Sequence, residues 1–201
     1  MELKTALEIA NKLVETLSPH CTLINIAGSC RREKPEVKDI EIVALPKYIQ
    51  IASEPQGLFD DIPPAMKTVI NPGYLKVYNE IGKKIKGKAV GKYSQFELPE
   101  GIKLDLFTPD DFDYYRIFAI RTGSADYSAR VIAQGWLKVG WCGSDKGLRR
   151  ISDCEKKFSS EGVESWKCIS PNPELPPIWE SEEEFFEWIK VKWIEPFRRN
   201  V

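Results

Sequence analysis

In Lys38-Asp39-Ile40-Glu41-Ile42-Val43, two carboxylates sit two positions apart in an otherwise apolar run. In a β-strand residues at that spacing share one side, about 6–7 Å apart at their backbones, while Ile40 and Ile42 face the other side. A third carboxylate repeats the design: Asp105 is flanked by Leu104 and Leu106. If the two strands are neighbours, three negative charges share one sheet face and repel unless a cation compensates. Oxygen-only ligands select magnesium or manganese over zinc. Two such ions about 3.5–4 Å apart are the usual apparatus of in-line phosphoryl or nucleotidyl transfer. Asp39, Glu41 and Asp105 are therefore the candidate catalytic and metal-binding residues, with two Mg2+ (or Mn2+) ions as the expected cofactor.

Just ahead of the acid pair runs Ala27-Gly28-Ser29-Cys30-Arg31-Arg32. Gly28-Ser29, directly after a strand, can present backbone N–H groups to phosphate. The two guanidinium forks suit phosphate oxygens. On this reading the basic pair holds a triphosphate tail and the acids hold the metals. The competing reading is an exposed acid-x-acid strand paired with Lys38, Arg31 or Arg32. It leaves the upstream Gly-Ser and the third strand acid unexplained.

The rest of the composition narrows the chemistry. The chain has 201 residues, 42% of them apolar and 29% charged, with a net charge of -1. That is ordinary globular material, enough for one large domain or two small ones. No apolar run is long enough for a membrane span or a secretory segment, so the expected location is the cytoplasm, with the mature protein starting near Met1. Cys21, Cys30, Cys142, Cys154 and Cys168 are odd in number and scattered. They argue against a disulfide framework and a zinc ribbon. His20 is the only histidine, which leaves little for a Ser-His-Asp triad or a histidine-rich metal site. Any chemistry falls to carboxylates, arginines and lysines.

The elements that must position these groups follow from periodicity. Leu3, Leu7, Ala10, Leu13, Val14 and Leu17 predict a helix over 2–18, stopped by Ser18-Pro19. Strands are expected at 23–27, 38–45 and 103–107. Residues 46–72, with five prolines, read as loop with at most one short helix. A helix is expected from Tyr74 to Ile85, followed by a basic stretch whose second half alternates like a hairpin strand. Further helices are expected at 114–121 and 126–134, and strand and turn residues at 135–147. Ser181 with Glu184 makes a capping box, opening a helical face that continues to Pro196. The sum is an α+β (mixed α/β) fold: a mixed β-sheet flanked by helices in residues 1–110, and a smaller, mainly helical domain in 111–201.

Gly28-Ser29, the Arg31-Arg32 spacer and Asp39-Ile40-Glu41-Ile42-Val43 together resemble the signature of the DNA polymerase beta-like nucleotidyltransferase superfamily. Lys103-Leu104-Asp105-Leu106-Phe107 falls where family X DNA polymerases carry their third metal-binding acid. Arg121-Thr122-Gly123-Ser124-Ala125-Asp126-Tyr127 is similar to that family's Thr-Gly-Ser nucleotide-binding turn, and Ser181 to Arg199 to its C-terminal ending. The resemblance covers most of the chain. It implies a palm domain (1–110) and a thumb-like domain (111–201), in the minimal form of small viral and phage members.

Its implied roles follow residue by residue. Asp39 and Glu41 would bind both metals and Asp105 would complete the catalytic site. Gly28, Ser29 and Arg32 would meet the nucleotide phosphates. Thr122, Gly123 and Ser124 would line the sugar and base, with Asp126 beside the base. Lys103 stands where the family has an arginine that orients the third acid. Lys84, Lys86, Lys88 and Lys92, in the densest basic run, would track nucleic-acid phosphates. The implied partners are a nucleoside triphosphate and a DNA primer-template or gapped DNA, bound by a monomer. The sequence departs from the family in Glu41 for aspartate, in Ile120-Arg121 for the aromatic pair that screens the sugar, and in Lys103 for arginine. It leaves no room ahead of the palm for a lyase domain, so lyase activity is not expected. Two other readings stand beside this one: a nucleotidyltransferase with another acceptor (an RNA end, a small molecule or a protein), and a non-catalytic binding module.

Overall fold

Leu17 is fully buried, as are Ala6 and Ala10 beside it, on the inner side of helix α1 (Leu3–Leu17), which meets the expectation from periodicity. The computed structural model describes residues 1–52, 66–158 and 164–200. The fold is α+β. The chain divides into two units, residues 1–30 with 34–110, and residues 31–33 with 111–201. Among the described residues no helix is long and apolar enough to cross a membrane.

In the first unit, β1 (Cys21–Ile26) leads into a helical turn, α2 (Gly28–Arg31), and then β2 (Asp39–Pro46). β3 (Tyr48–Ala52) and β4 (Met66–Ile70) pair antiparallel. Helix α3 (Pro72–Glu80) starts with Pro72 in its first turn and Asn71 Oδ1 accepting from Gly73 N. That cap satisfies a donor left open at the helix start. Three more strands follow: β5 (Lys83–Gly87), β6 (Tyr93–Glu97) and β7 (Lys103–Phe107). The main sheet has the order β1-β2-β7-β6-β5; β2 and β7 run parallel, and the other pairs antiparallel. Ile40, Ile42, Leu104, Leu106 and Phe96 are buried on one face. They pack with α1 residues and with Tyr74 and Tyr78 of α3 in a single core.

Two expectations for this unit need correction. Residues 46–72 contain a strand pair where loop was expected. Of the five prolines that suggested loop, Pro55, Pro63 and Pro64 fall at 53–65, outside the described residues, and Pro46 and Pro72 end β2 and start α3, while the short runs between form the strands. The second helix ends at Glu80 and not at Ile85. Gly82 interrupts it, and its neighbour Lys83 opens the edge strand.

The second unit opens with α4 (Tyr114–Thr122), α5 (Ala125–Tyr127), a π-helical turn at Ser128–Ile132, and α6 (Ala133–Lys138). It was expected to be mainly helical, and helical residues do outnumber strand residues among those described, but it also carries a sheet. β8 (Trp141–Ser144), β9 (Gly147–Arg150), β10 (Cys154–Phe158) and β11 (Glu164–Cys168) form a four-stranded sheet in the order β10-β11-β8-β9. These strands are short and polar, with no sustained apolar alternation to announce them. Helix α7 (Glu182–Trp188) begins at the expected cap, Ser181 Oγ accepting from Glu184 N. It stops well before Pro196, at a chain reversal where Lys190 adopts φ 56°. Trp136, Trp141, Trp179, Phe185 and Phe186 fill the core of this unit.

A buried carboxylate organises the same unit. Glu182 is 3% exposed and Arg199 is 0% exposed. Arg199 Nη1 donates to Glu182 Oε1 at 2.8 Å, and Arg31 Nη1 and Nη2 donate to its two oxygens at 2.9 Å each. Arg199 Nη2 donates to Oε2 at 3.1 Å, and Trp193 Nε1 adds a fifth donor at 2.8 Å. Burial opposes ionisation of Glu182, but the hydrogen bonds from Arg199 and Arg31 outweigh it and take the carboxyl down to about 2. Its folded pKa thus lies below the ordinary value of 4.5. The stabilisation is fully present above that value and is lost as pH falls toward 2. Glu182→Ala strands two arginines and is expected to cost about 3–5 kcal/mol in unfolding free energy. A loss under 1 kcal/mol in denaturant melts would contradict this. Glu182→Gln should flatten the acid limb of stability between about pH 5 and 2.

Candidate active site

The register of the main sheet lays out its outer face row by row. Glu41 pairs with Asp105, Asp105 with Gln95, and Gln95 with Lys86. The next row holds Asp39, Lys103, Glu97 and Lys83, and the row on the other side Val43, Phe107 and Tyr93. Directly paired residues project to the same side of a sheet, so Asp39, Glu41 and Asp105 share one face. Ile40, Ile42, Leu104 and Leu106 take the opposite face because alternation leaves them no other. The parallel β2–β7 pairing therefore brings together two acids that lie far apart in sequence.

Asp105 is held from the β6 side. Its Oδ1 accepts from Gln95 Nε2 at 2.7 Å and from Tyr93 OH at 2.8 Å. Lys103, expected to orient this carboxylate, is exposed and sits one row away beside Asp39 and Glu97. Tyr93 and Gln95 were missed in sequence, although Tyr-Ser-Gln-Phe-Glu alternates and places both on the acid side. Tyr93 also stacks on Phe107, with ring centroids 5.1 Å apart.

Glu41 is held from the other side by the loop after β1. Ala27 N donates to Glu41 O at 2.8 Å. Gly28 adopts φ 62°, and a β-carbon there would lie 2.0 Å from Glu41 Oε2. Only glycine fits this approach. Cys30, 2% exposed, faces the same acids: burial first, then the charges of Glu41 and Asp39, push its thiol up to about 11. It is protonated near neutrality. Ser29 Oγ is buried and has no hydrogen-bond partner among the described residues.

Among the described residues no three acidic, cysteine or histidine side chains are gathered into a group that could hold a metal ion. The donor chemistry nonetheless suits a hard cation: three carboxylates on one face, with the nearby thiol protonated.

The remaining candidates lie in the second unit, with Arg31 and Arg32. Thr122 is fully buried, and its Oγ1 accepts from Arg31 Nη1 at 2.6 Å. Arg31 also lies over the Phe118 ring at 3.9 Å. With Glu182 it forms an interior strut, so its fork does not point to phosphate as the sequence suggested. Arg32 Nη1 donates to the carbonyls of Thr122 and Gly123 at 2.7 and 3.0 Å, and its Nε to Asn200 Oδ1 at 3.0 Å. Ser124 Oγ caps α5 by accepting from Tyr127 N, and Ser124 N donates to Arg199 O. Asp126 is exposed, 3.4 Å from Arg130. The Thr-Gly-Ser turn is thus fastened at each of its three residues.

The basic run does not form one patch. A register shift between Lys84 and Lys86 puts Lys86 opposite Gln95 on the acid side, while Lys84 pairs with Phe96 of the core side. Lys84 Nζ accordingly lies 5.9 Å from the Tyr78 ring and Lys86 Nζ 5.0 Å from that of Tyr93. Lys92 pairs with Asp110 at 2.9 Å, and Lys88 is exposed in the connection between β5 and β6.

No protein-family model matches the chain, and no curated protein matches it. The face is defined by its own chemistry: three carboxylates beside a glycine turn and a buried hydroxyl without a hydrogen-bond partner among the described residues.

Gly28→Ala should lower the thermal midpoint through both the positive φ and the Glu41 contact. The same change in a Glu41→Ala background should cost less, by about 1 kcal/mol in a double-mutant cycle. Equal costs in the two backgrounds would show that the contact is immaterial.

Proposed function

We propose that the protein is a metal-dependent nucleotidyltransferase, a small DNA polymerase of the family X kind. It would add a nucleoside monophosphate from a (deoxy)nucleoside triphosphate to a DNA primer 3′-OH, as in filling a short gap. One observation carries this reading: Glu41 and Asp105 are register partners on parallel strands, with Asp39 one step along the same face. Asp39, Glu41 and Asp105 would hold two magnesium or manganese ions. When bound, such ions neutralise phosphate charge and favour ionisation of an attacking hydroxyl.

The chain's own residues do the rest. Tyr93 and Gln95 keep Asp105 from turning, as donors that support a ligating carboxylate do. Gly28 makes room for Glu41. The Ser29 hydroxyl, without a partner among the described residues, has a donor to give a phosphate oxygen. In the second unit Thr122, Gly123, Ser124 and Asp126 are the proposed nucleotide-binding residues. The fully buried Thr122 side chain acts by holding Arg31 and so shaping the turn. Arg32 supports the turn's carbonyls and is proposed to lend its charge to the phosphates. Among the lysines, Lys86 is best placed for a nucleic-acid strand crossing the acid face. Lys84, Lys88 and Lys92 contribute less, because they lie on the other side, in a connection, or in an ion pair. The protein is proposed to act as a monomer in the cytoplasm.

The division of the basic run between two faces favours one second reading, transfer to a smaller acceptor than duplex DNA. Labelled deoxynucleotides and ribonucleotides offered with a gapped duplex, with and without magnesium, separate the two. Magnesium-dependent extension is expected, with Asp105→Ala lowering it at least about 100-fold and Tyr93→Phe combined with Gln95→Leu about 10-fold. Extension that survives Asp105→Ala would remove the proposed role of the acids. Nucleotide turnover without DNA extension would favour the smaller acceptor.

A further inference from the structure

The sheet of the second unit carries three cysteines, and the polymerase reading uses none of them. Cys154 and Cys168 are direct partners across the antiparallel pair β10–β11. Opposed residues of such a pair have Cα atoms about 4.5–5.5 Å apart, within the roughly 4.4–6.8 Å that a disulfide spans. Their side chains leave the sheet on the same face. Cys142 lies on β8, which is not a neighbour of β10, so no register opposes it to Cys154. Cys142 is 0% and Cys168 4% exposed, whereas Cys154 is part-exposed. A solute can therefore reach Cys154 and not the other two. All three are free thiols here.

We infer that Cys154 and Cys168 are a reversible thiol-modification site, converted to a disulfide by low-molecular-weight disulfides of the glutathione type. The Cys154 thiolate attacks one sulfur of the small disulfide, forming a mixed disulfide and releasing one small thiol. Cys168 then gives up its proton and its sulfur attacks Cys154 Sγ, expelling the second small thiol. The protein pair is oxidised by two electrons, the reagent is reduced to two thiols, and excess small thiol reverses the exchange. The result closes the chain between residues 154 and 168 without joining distant parts of the protein. It therefore does not conflict with the absence of a disulfide framework.

The full chain is incubated with glutathione disulfide at mildly alkaline pH, because burial holds the Cys154 thiol above its usual range. It is then quenched by alkylation and mapped by mass spectrometry. The expected product is a Cys154–Cys168 crosslink, two hydrogens lighter than the reduced chain, with Cys21, Cys30 and Cys142 alkylated. Cys168→Ser should trap glutathione on Cys154, and Cys142→Ser should leave the crosslink yield within about twofold of the unmodified chain. A Cys142–Cys154 crosslink, a mixed disulfide that persists with Cys168 present, or a bridge that forms only in denaturant would each overturn the assignment. Polymerase assays do not enter the readout, so the two proposals fail independently.

Discussion

Parallel pairing of β2 with β7 is the constraint on which the rest of the first unit depends. It places Glu41 beside Asp105 and leaves Asp39 one row away, so like charges crowd one face of these two strands while Ile40, Ile42, Leu104 and Leu106 make the opposite face apolar. Such crowding is unfavourable unless each carboxylate finds donors or a cation. The surroundings are arranged accordingly. Tyr93 and Gln95 take up one oxygen of Asp105, and the glycine turn at Gly28 lets Glu41 lie against backbone. The buried core behind the sheet keeps the strands from slipping, because a one-residue slip would turn the acids inward and the leucines outward.

The second unit solves a different electrostatic problem. Glu182 is charged and almost fully buried, a state that desolvation alone would forbid. Two guanidinium groups and an indole N–H compensate it. Arg199 is in turn packed beside the rings of Phe186, Trp193 and Tyr127. The same arginine's carbonyl receives Ser124 N, and Arg31 reaches Thr122. The Thr-Gly-Ser turn and the C-terminal residues are therefore parts of one network. Disturbing Glu182 would be felt at a turn with which it has no direct hydrogen bond.

Much of this was legible in the sequence. Period-two alternation marked β2, β6 and β7 and assigned their faces, because a strand's sides are fixed by chain geometry alone. The helical spacing of Leu3 to Leu17 and the Ser181 cap are equally local. The four-stranded sheet was only partly legible: strand and turn residues were expected at 135–147, where β8 lies, but Gly-Leu-Arg-Arg and the two strands after it are too short and too polar to betray strands that draw their stability from neighbours.

What the sequence determined by itself was which residues could share a side: Asp39 with Glu41, Leu104 with Leu106, Tyr93 with Gln95. Only the tertiary structure decided which strands became neighbours, that Tyr93 and Gln95 rather than Lys103 hold Asp105, and that Arg31 turns to Glu182, 151 positions away. The reason is physical. Local pattern follows from the two soft dihedrals of each residue and the side-chain period they impose. Partner choice depends on distant segments meeting, and their mutual burial and charge compensation exist only once the chain has folded.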